Sequence, residues 1–163
     1  MTASIAAFLG FIAAVAAVAV TGVVFKPGAW YERIRKPGFT PPDWLFPIAW
    51  TVLYLMIAVS GFLVWREVGI AGAPVAFLFF AAQLVFNAAW SPLFFGAHRP
   101  DLAMADLGLL WFAILATILS FWEVSVLAAL LLAPYLIWVT YAGALNAVIW
   151  RLNGARPRPA GTV

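Results

Sequence analysis

Residues 4–25 read SIAAFLGFIAAVAAVAVTGVVF, an apolar run without a charged side chain, ended by Lys26-Pro27-Gly28. A helix needs about 20 such residues to cross hydrocarbon, so this stretch predicts a transmembrane helix. A secretory signal is the competing reading. The stretch lacks a basic segment before it, however, and is longer than the roughly 7–15 apolar residues of a signal core. Four more runs of similar length follow: 44–65, closed by Arg66-Glu67; 74–95, closed by Gly96 and His98-Arg99-Pro100; 102–122; and 124–150, followed by Arg151. None alternates apolar with polar residues as a barrel strand does. The expected fold is all-α, a polytopic membrane bundle of five transmembrane helices forming one domain over residues 1–163.

Composition agrees. The chain is 66% hydrophobic and 9% charged, with a mean hydropathy of +1.05. Soluble domains are about 45–50% apolar and about 25% charged. That balance excludes a soluble enzyme, a disordered chain and a nucleic-acid binder. There is no cysteine, which removes disulfides, thiolate metal sites and thiol nucleophiles. His98 is the sole histidine, with no carboxylate cluster beside it, so no metal site is expected and a solvated loop residue is. Hydrolytic triads, paired buried carboxylates and phosphate-cradling glycine loops are all missing from the sequence.

Basic residues set the expected orientation. Lys26, Arg33, Arg35, Lys36, Arg99, Arg151, Arg156 and Arg158 fall on one side of five alternating spans, and Arg66 on the other. The positive-inside rule then puts the C-terminus in the cytoplasm and the N-terminus outside. The one sizeable loop, 26–43, carries Trp30, Tyr31 and Phe39 among charges and prolines. It reads equally as an interfacial aromatic belt or as a lid over a ligand. Residues 152–163, with Pro157, Pro159 and Gly161, read as a disordered tail.

Several tryptophans (Trp44, Trp65, Trp122 and Trp150) fall at helix ends as interface anchors; Trp50, Trp90, Trp111 and Trp138 lie deeper. Helical spacing groups the deeper ones with polar residues. Pro47, Trp50, Thr51 and Tyr54 share a face of the second span. Gln83, Asn87, Trp90 and Ser91 share one on the third, and Tyr135, Trp138, Ala142 and Asn146 one on the fifth. Polar groups inside a membrane turn toward protein or a cavity. Two readings stand: interhelical hydrogen bonds that glue the bundle, or a mostly apolar pocket with a few convergent polar groups. Asp106 is expected to complement the dipole at the start of the fourth span. Gly10, Ala14, Val18 and Gly22 suggest tight helix packing, while Pro92 and Pro134 suggest kinks.

The segments 41–54 (PPDWLFPIAWTVLY), 83–95 (QLVFNAAWSPLFF) and 133–138 (APYLIW), with Leu145-Asn146 beyond, resemble the translocator protein family. This is the TspO/MBR group, also called tryptophan-rich sensory proteins or peripheral-type benzodiazepine receptors. The resemblance implies a five-helix bundle, commonly a homodimer. It also implies binding of porphyrins such as protoporphyrin IX or haem, of sterols, and of isoquinoline or benzodiazepine drugs. No cofactor is implied; the porphyrin enters as ligand. Carried over by position, Trp50, Tyr54, Asn87, Trp90, Trp138 and Ala142 would line the pocket and Trp30 would belong to its lid. Arg33, Arg35 and Lys36 would then stand ready for propionates. Some bacterial relatives degrade protoporphyrin in light, and the tryptophans implicated match Trp50 and Trp138, which makes a light-dependent enzyme the second expectation and a transporter the third. Residues 145–151 (LNAVIWR) lack the tyrosine of the animal sterol motif, which favours a bacterial-type protein in a bacterial membrane. For a dimer face, Ala76, Ala81, Ala82, Ala88 and Ala89 are the candidates.

Overall fold

In a computed structural model, residues 2–155 are described and are almost entirely helical. Five helices are long and apolar enough to cross a membrane. They are α1 (Thr2–Val24), α3 (Leu45–Gly72), α4 (Pro74–Ser91, continued by a π-helical turn over Pro92–Gly96), α5 (Pro100–Trp122) and α6 (Val126–Asn153), while a short α2 (Ala29–Arg33) lies in the first loop. At 1.5 Å per residue, the 23 residues of α1 reach about 35 Å, more than the ~30 Å hydrocarbon layer.

Local chemistry sets the helix ends. Pro27 ends α1 by disfavouring helical backbone in the residue before it. Pro74 and Pro100 open α4 and α5 at the first turn, where a missing N–H costs nothing. The Ser125 side chain caps α6 by accepting from the Ala128 amide, and Gly154 closes it at φ 81°.

The boundaries depart from the apolar runs at specific places. Helix α3 continues past Arg66-Glu67 to Gly69, whose φ of 66° breaks the regular backbone. Arg66 and Glu67 pair with each other in the open, so the backbone ladder has no reason to stop at them. Pro92 starts a π turn in which the Ala97 amide donates to the Pro92 carbonyl at 2.7 Å. Pro134 leaves α6 helical throughout. Residues 152 and 153, expected in a disordered tail, complete α6: the Asn153 amide donates to the Arg35 carbonyl and accepts from the Arg35 N–H. The rest of the tail, with Arg156 and Arg158, lies outside the described residues.

Helix α1 packs on α3 and α4, α3 on α6, α6 on α5 and α5 on α4. The five spans thus close a ring in the order α1, α3, α6, α5, α4. Away from the first loop the ring is filled by a phenylalanine core. Phe80 stacks on Phe121 at 5.7 Å and meets Phe11 and Phe77 edge-on. The expected close approach along Gly10 and Gly22 is not where the helices meet most tightly. Gly10 faces open space, whereas a Cβ on Gly61 would stand 2.7 Å from Phe80 and 2.8 Å from Phe11. Aromatic rings from α1 and α4, not small residues, make that contact. Ala76 is buried inside the ring, which takes it off any dimer face.

Candidate functional site

Toward the first loop the ring is hollow. A cavity of about 550 Å³ lies between the spans, within the ~300–1,000 Å³ of small-molecule sites. Pro47, Trp50 and Tyr54 line it from α3, Asn87 and Trp90 from α4, and Trp138, Ala142 and Asn146 from α6. Helical spacing had grouped all of these, and the ring order turns their three faces inward. Trp50 stacks on Tyr54 at 5.2 Å and meets Trp138 nearly perpendicular at 6.4 Å. Trp90 stacks on Phe94 at 5.0 Å. The walls are aromatic faces and edges.

The polar atoms divide into two sets. Asn87 is used on both sides: its oxygen accepts from the Tyr54 hydroxyl at 3.0 Å and its nitrogen donates to the Tyr135 hydroxyl at 2.6 Å. This ties α3, α4 and α6 together, so the interhelical-glue reading holds for these residues. The second set has no partner among the described residues. Trp90 Nε1 and Asn146 Oδ1 are buried without a hydrogen bond, and both residues line the cavity. Asn146 is 1% exposed, and its nitrogen donates to the Pro100 carbonyl at 2.7 Å. One unpaired donor and one unpaired acceptor are therefore sealed within side chains that form the cavity wall.

Three expected site residues stand behind the wall. Tyr135 is fully buried and reaches the cavity only through Asn87. Gln83, 1% exposed, sits one turn deeper in α4, with both amide atoms unpartnered among the described residues. Trp30 stacks on His98 at 4.3 Å and meets Phe94 edge-on at 5.8 Å; the histidine is exposed, as expected of a loop residue, with the indole on one face. Of the loop's aromatic residues it is Tyr31 that reaches the cavity. Its phenol is buried, and that burial, with the charge of Asp43 second, pushes its pKa up to about 12.

The loop cations also differ from expectation. Lys36 donates to the Tyr31 carbonyl at 3.0 Å and lies 4.4 Å above the Tyr31 ring, while Arg33 and Arg35 are exposed. The charges at the cavity rim are Lys26 and Asp43. Trp111, read as deep, bonds Thr140 on α6 at 2.9 Å. Asp106 lies in the second turn of α5, near its start as expected, on the buried face and with Oδ2 unpartnered among the described residues. Residues missed by the sequence include Ala19, Gly22 and Val23 of α1, Leu107 and Leu110 of α5, and Val139, Leu145 and Ile149 of α6. Extending the Asn87–Trp90 face by one turn would have found Phe94 and Phe95.

Comparison with known proteins gives this site a family. Residues 8–151 match the TspO/MBR family. The chain is 43% identical over 160 residues to protein CrtK of Rhodobacter capsulatus, covering 94% of this chain and 98% of that protein. It is 42% identical over 152 residues to a tryptophan-rich sensory protein of Cereibacter sphaeroides, covering 93% and 94%. Against the human translocator protein the identity is 40% over 126 residues, covering 76% and 75%. Match and identity extend over the helices that build the cavity, and the chain belongs to the TspO/MBR family.

Proposed function

We propose that this protein is a membrane receptor, a sensor that binds a porphyrin such as protoporphyrin IX or haem, or a related flat amphipathic ligand, in the cavity between its helices. The observation that carries the reading is an aromatic-walled space whose lining residues Trp90 and Asn146 each keep one buried atom, Nε1 and Oδ1, without a partner among the described residues. Offset or edge-on aromatic contacts with a flat ring system contribute about 0.5–1.5 kcal/mol each. Buried polar atoms left unpaired by a wrong ligand cost about 1–3 kcal/mol, so the pair favours ligands that carry both groups. Lys26 at the rim suits a carboxylate on the ligand's edge. The relatives named as sensory and translocator proteins support a receptor role. Sterols and isoquinoline or benzodiazepine drugs are competing occupants of the same space.

The test is a dark titration of protoporphyrin IX into protein in lipid nanodiscs, read by tryptophan fluorescence, for the native chain and Trp138→Phe. Saturable quenching that weakens with the substitution is expected. Without saturation the porphyrin reading fails, and sterol binding or transport moves ahead.

A second reading is favoured by the perpendicular contact of Trp50 and Trp138 on one cavity wall. Both would serve as redox partners to a photoexcited porphyrin, with molecular oxygen as the oxidant. Turnover would need light and oxygen and would fall in Trp50→Phe and Trp138→Phe; unchanged turnover in both removes the protein from the chemistry.

The basic residues of the first loop support an orientation with that end of the bundle in the cytoplasm and the N-terminus outside, and the bacterial relatives support a bacterial membrane. A cysteine at Ala29 should resist an impermeant maleimide in intact cells and react after lysis. Labelling in intact cells reverses the orientation.

A further inference from the structure

Trp138 borders two hollows. One is the central cavity; the other, of about 630 Å³, lies between α3 and α6 and is lined by Ala49, Val52, Pro134 and Ile137, with Phe39 of the loop. Val52 is 51% and Ile137 71% exposed on helices that cross the membrane, so bilayer hydrocarbon is the medium that covers this groove. Tyr141 brings a hydroxyl to the groove, and that hydroxyl donates to the Phe39 carbonyl at 2.6 Å. It is the one hydroxyl among the groove's lining side chains, and it is already bonded within the protein.

Ring edges hold Trp138 in the wall between the two hollows. The ring contacts of Trp138 are edge-on to Phe46 at 5.9 Å and to Trp50 at 6.4 Å, and tilted against Tyr141 at 5.9 Å. Parallel stacking is absent from that set. One turn earlier, Pro134 inside α6 leaves the Leu130 carbonyl without its helical hydrogen bond. The rim of the cavity, by contrast, carries the charges of Lys26 and Asp43.

We propose that Trp138 is a lateral gate. A flat apolar ligand dissolved in the bilayer lodges between α3 and α6 and reaches the cavity when the indole turns aside. The inference rests on reading the cavity as a ligand site and adds the route by which the ligand arrives from hydrocarbon.

The absence of cysteine allows a test that needs no porphyrin. A cysteine replacing Ala142 puts a single thiol on the cavity wall. In nanodiscs it is reacted with N-(1-pyrenyl)maleimide, which partitions into hydrocarbon, or with a charged maleimide that stays in water. Ala49→Phe with Val52→Phe fills the groove, and neither residue lines the cavity. The filled variant should react with the pyrenyl reagent about tenfold more slowly and with the charged reagent at the native rate. Equal pyrenyl rates with and without the filling overturn the gate. Ile137→Trp, a single change at an exposed site, gives the same reading if the double variant does not fold. Slowed labelling in a protein that does not bind protoporphyrin would keep the gate and reject the proposed ligand.

Discussion

The Asn87 amide donates to the Tyr135 hydroxyl at 2.6 Å across 48 residues of sequence, joining α4 to α6 at the inner end of the cavity. Its oxygen is held by Tyr54 of α3. With both ends of the amide committed, Asn87 shapes the cavity and has little left to offer a ligand. That role falls to Trp90 and Asn146, cavity-lining residues that each have one buried polar atom without a partner among the described residues.

Asn87→Leu should therefore act on stability first. It strands the Tyr54 and Tyr135 hydroxyls in the bundle, at an expected cost of about 1–3 kcal/mol. Unfolding in mixed micelles, followed by tryptophan fluorescence, measures it. An unchanged midpoint would show that the three-helix tie contributes nothing.

Trp90→Phe should separate packing from hydrogen bonding. Phenylalanine can keep the stack on Phe94, seen at 5.0 Å, while the indole N–H is lost. Porphyrin affinity should fall by roughly threefold to tenfold, as one hydrogen bond of about 0.5–1.5 kcal/mol disappears. The thermal midpoint should hardly move. An affinity equal to native would mean that the ligand does not use this donor.

Gly61→Ala tests the aromatic contact between α1, α3 and α4. The new methyl would sit 2.7 Å from Phe80 and 2.8 Å from Phe11, and Phe80 cannot yield freely because it stacks on Phe121. Overpacking costs about 1–3 kcal/mol and outweighs the ~1 kcal/mol that alanine gains over glycine in a helix. Net destabilisation is expected; a stabilised variant would show that the rings rearrange at no cost.

Tyr31 makes the docking of the first loop sensitive to alkali. Its phenol is pushed up to about 12 in the docked loop, against about 10 when free. The undocked loop ionises first, so docking is at full strength below about pH 10 and weakens as pH rises toward 12. Subtracting the phenolate absorbance curve of Tyr31→Phe from that of the native chain should isolate a transition near pH 12. A transition near 10 would mean the ring is not held in the protein.

Much of this architecture was legible because hydrocarbon imposes a length: each apolar run became a span. The end of α3 was not, since the backbone ladder runs past Arg66 and Glu67 to Gly69, and apolarity stops before helicity does. The site was legible where polar and aromatic residues contrast with apolar neighbours, as along Trp50–Tyr54 and Asn87–Trp90. In α1 and α5 nearly every residue is apolar, so nothing marked Gly22 or Leu110 as facing inward. Adjacent residues of a loop carry no period. Spacing therefore could not decide whether Trp30 or Tyr31 turns toward the cavity, and the stack of Trp30 on His98 is a contact between distant segments.

The most direct test of the cavity as the ligand site is to fill it. Ala142→Trp places an indole in the space, and Val85→Trp puts the same side chain on the exposed face of α4. Both are titrated with protoporphyrin IX in the dark beside the native chain, with thermal midpoints recorded. The account predicts saturable binding by native and Val85→Trp proteins and none by a folded Ala142→Trp protein. Equal binding by all three would place the ligand elsewhere and contradict the account.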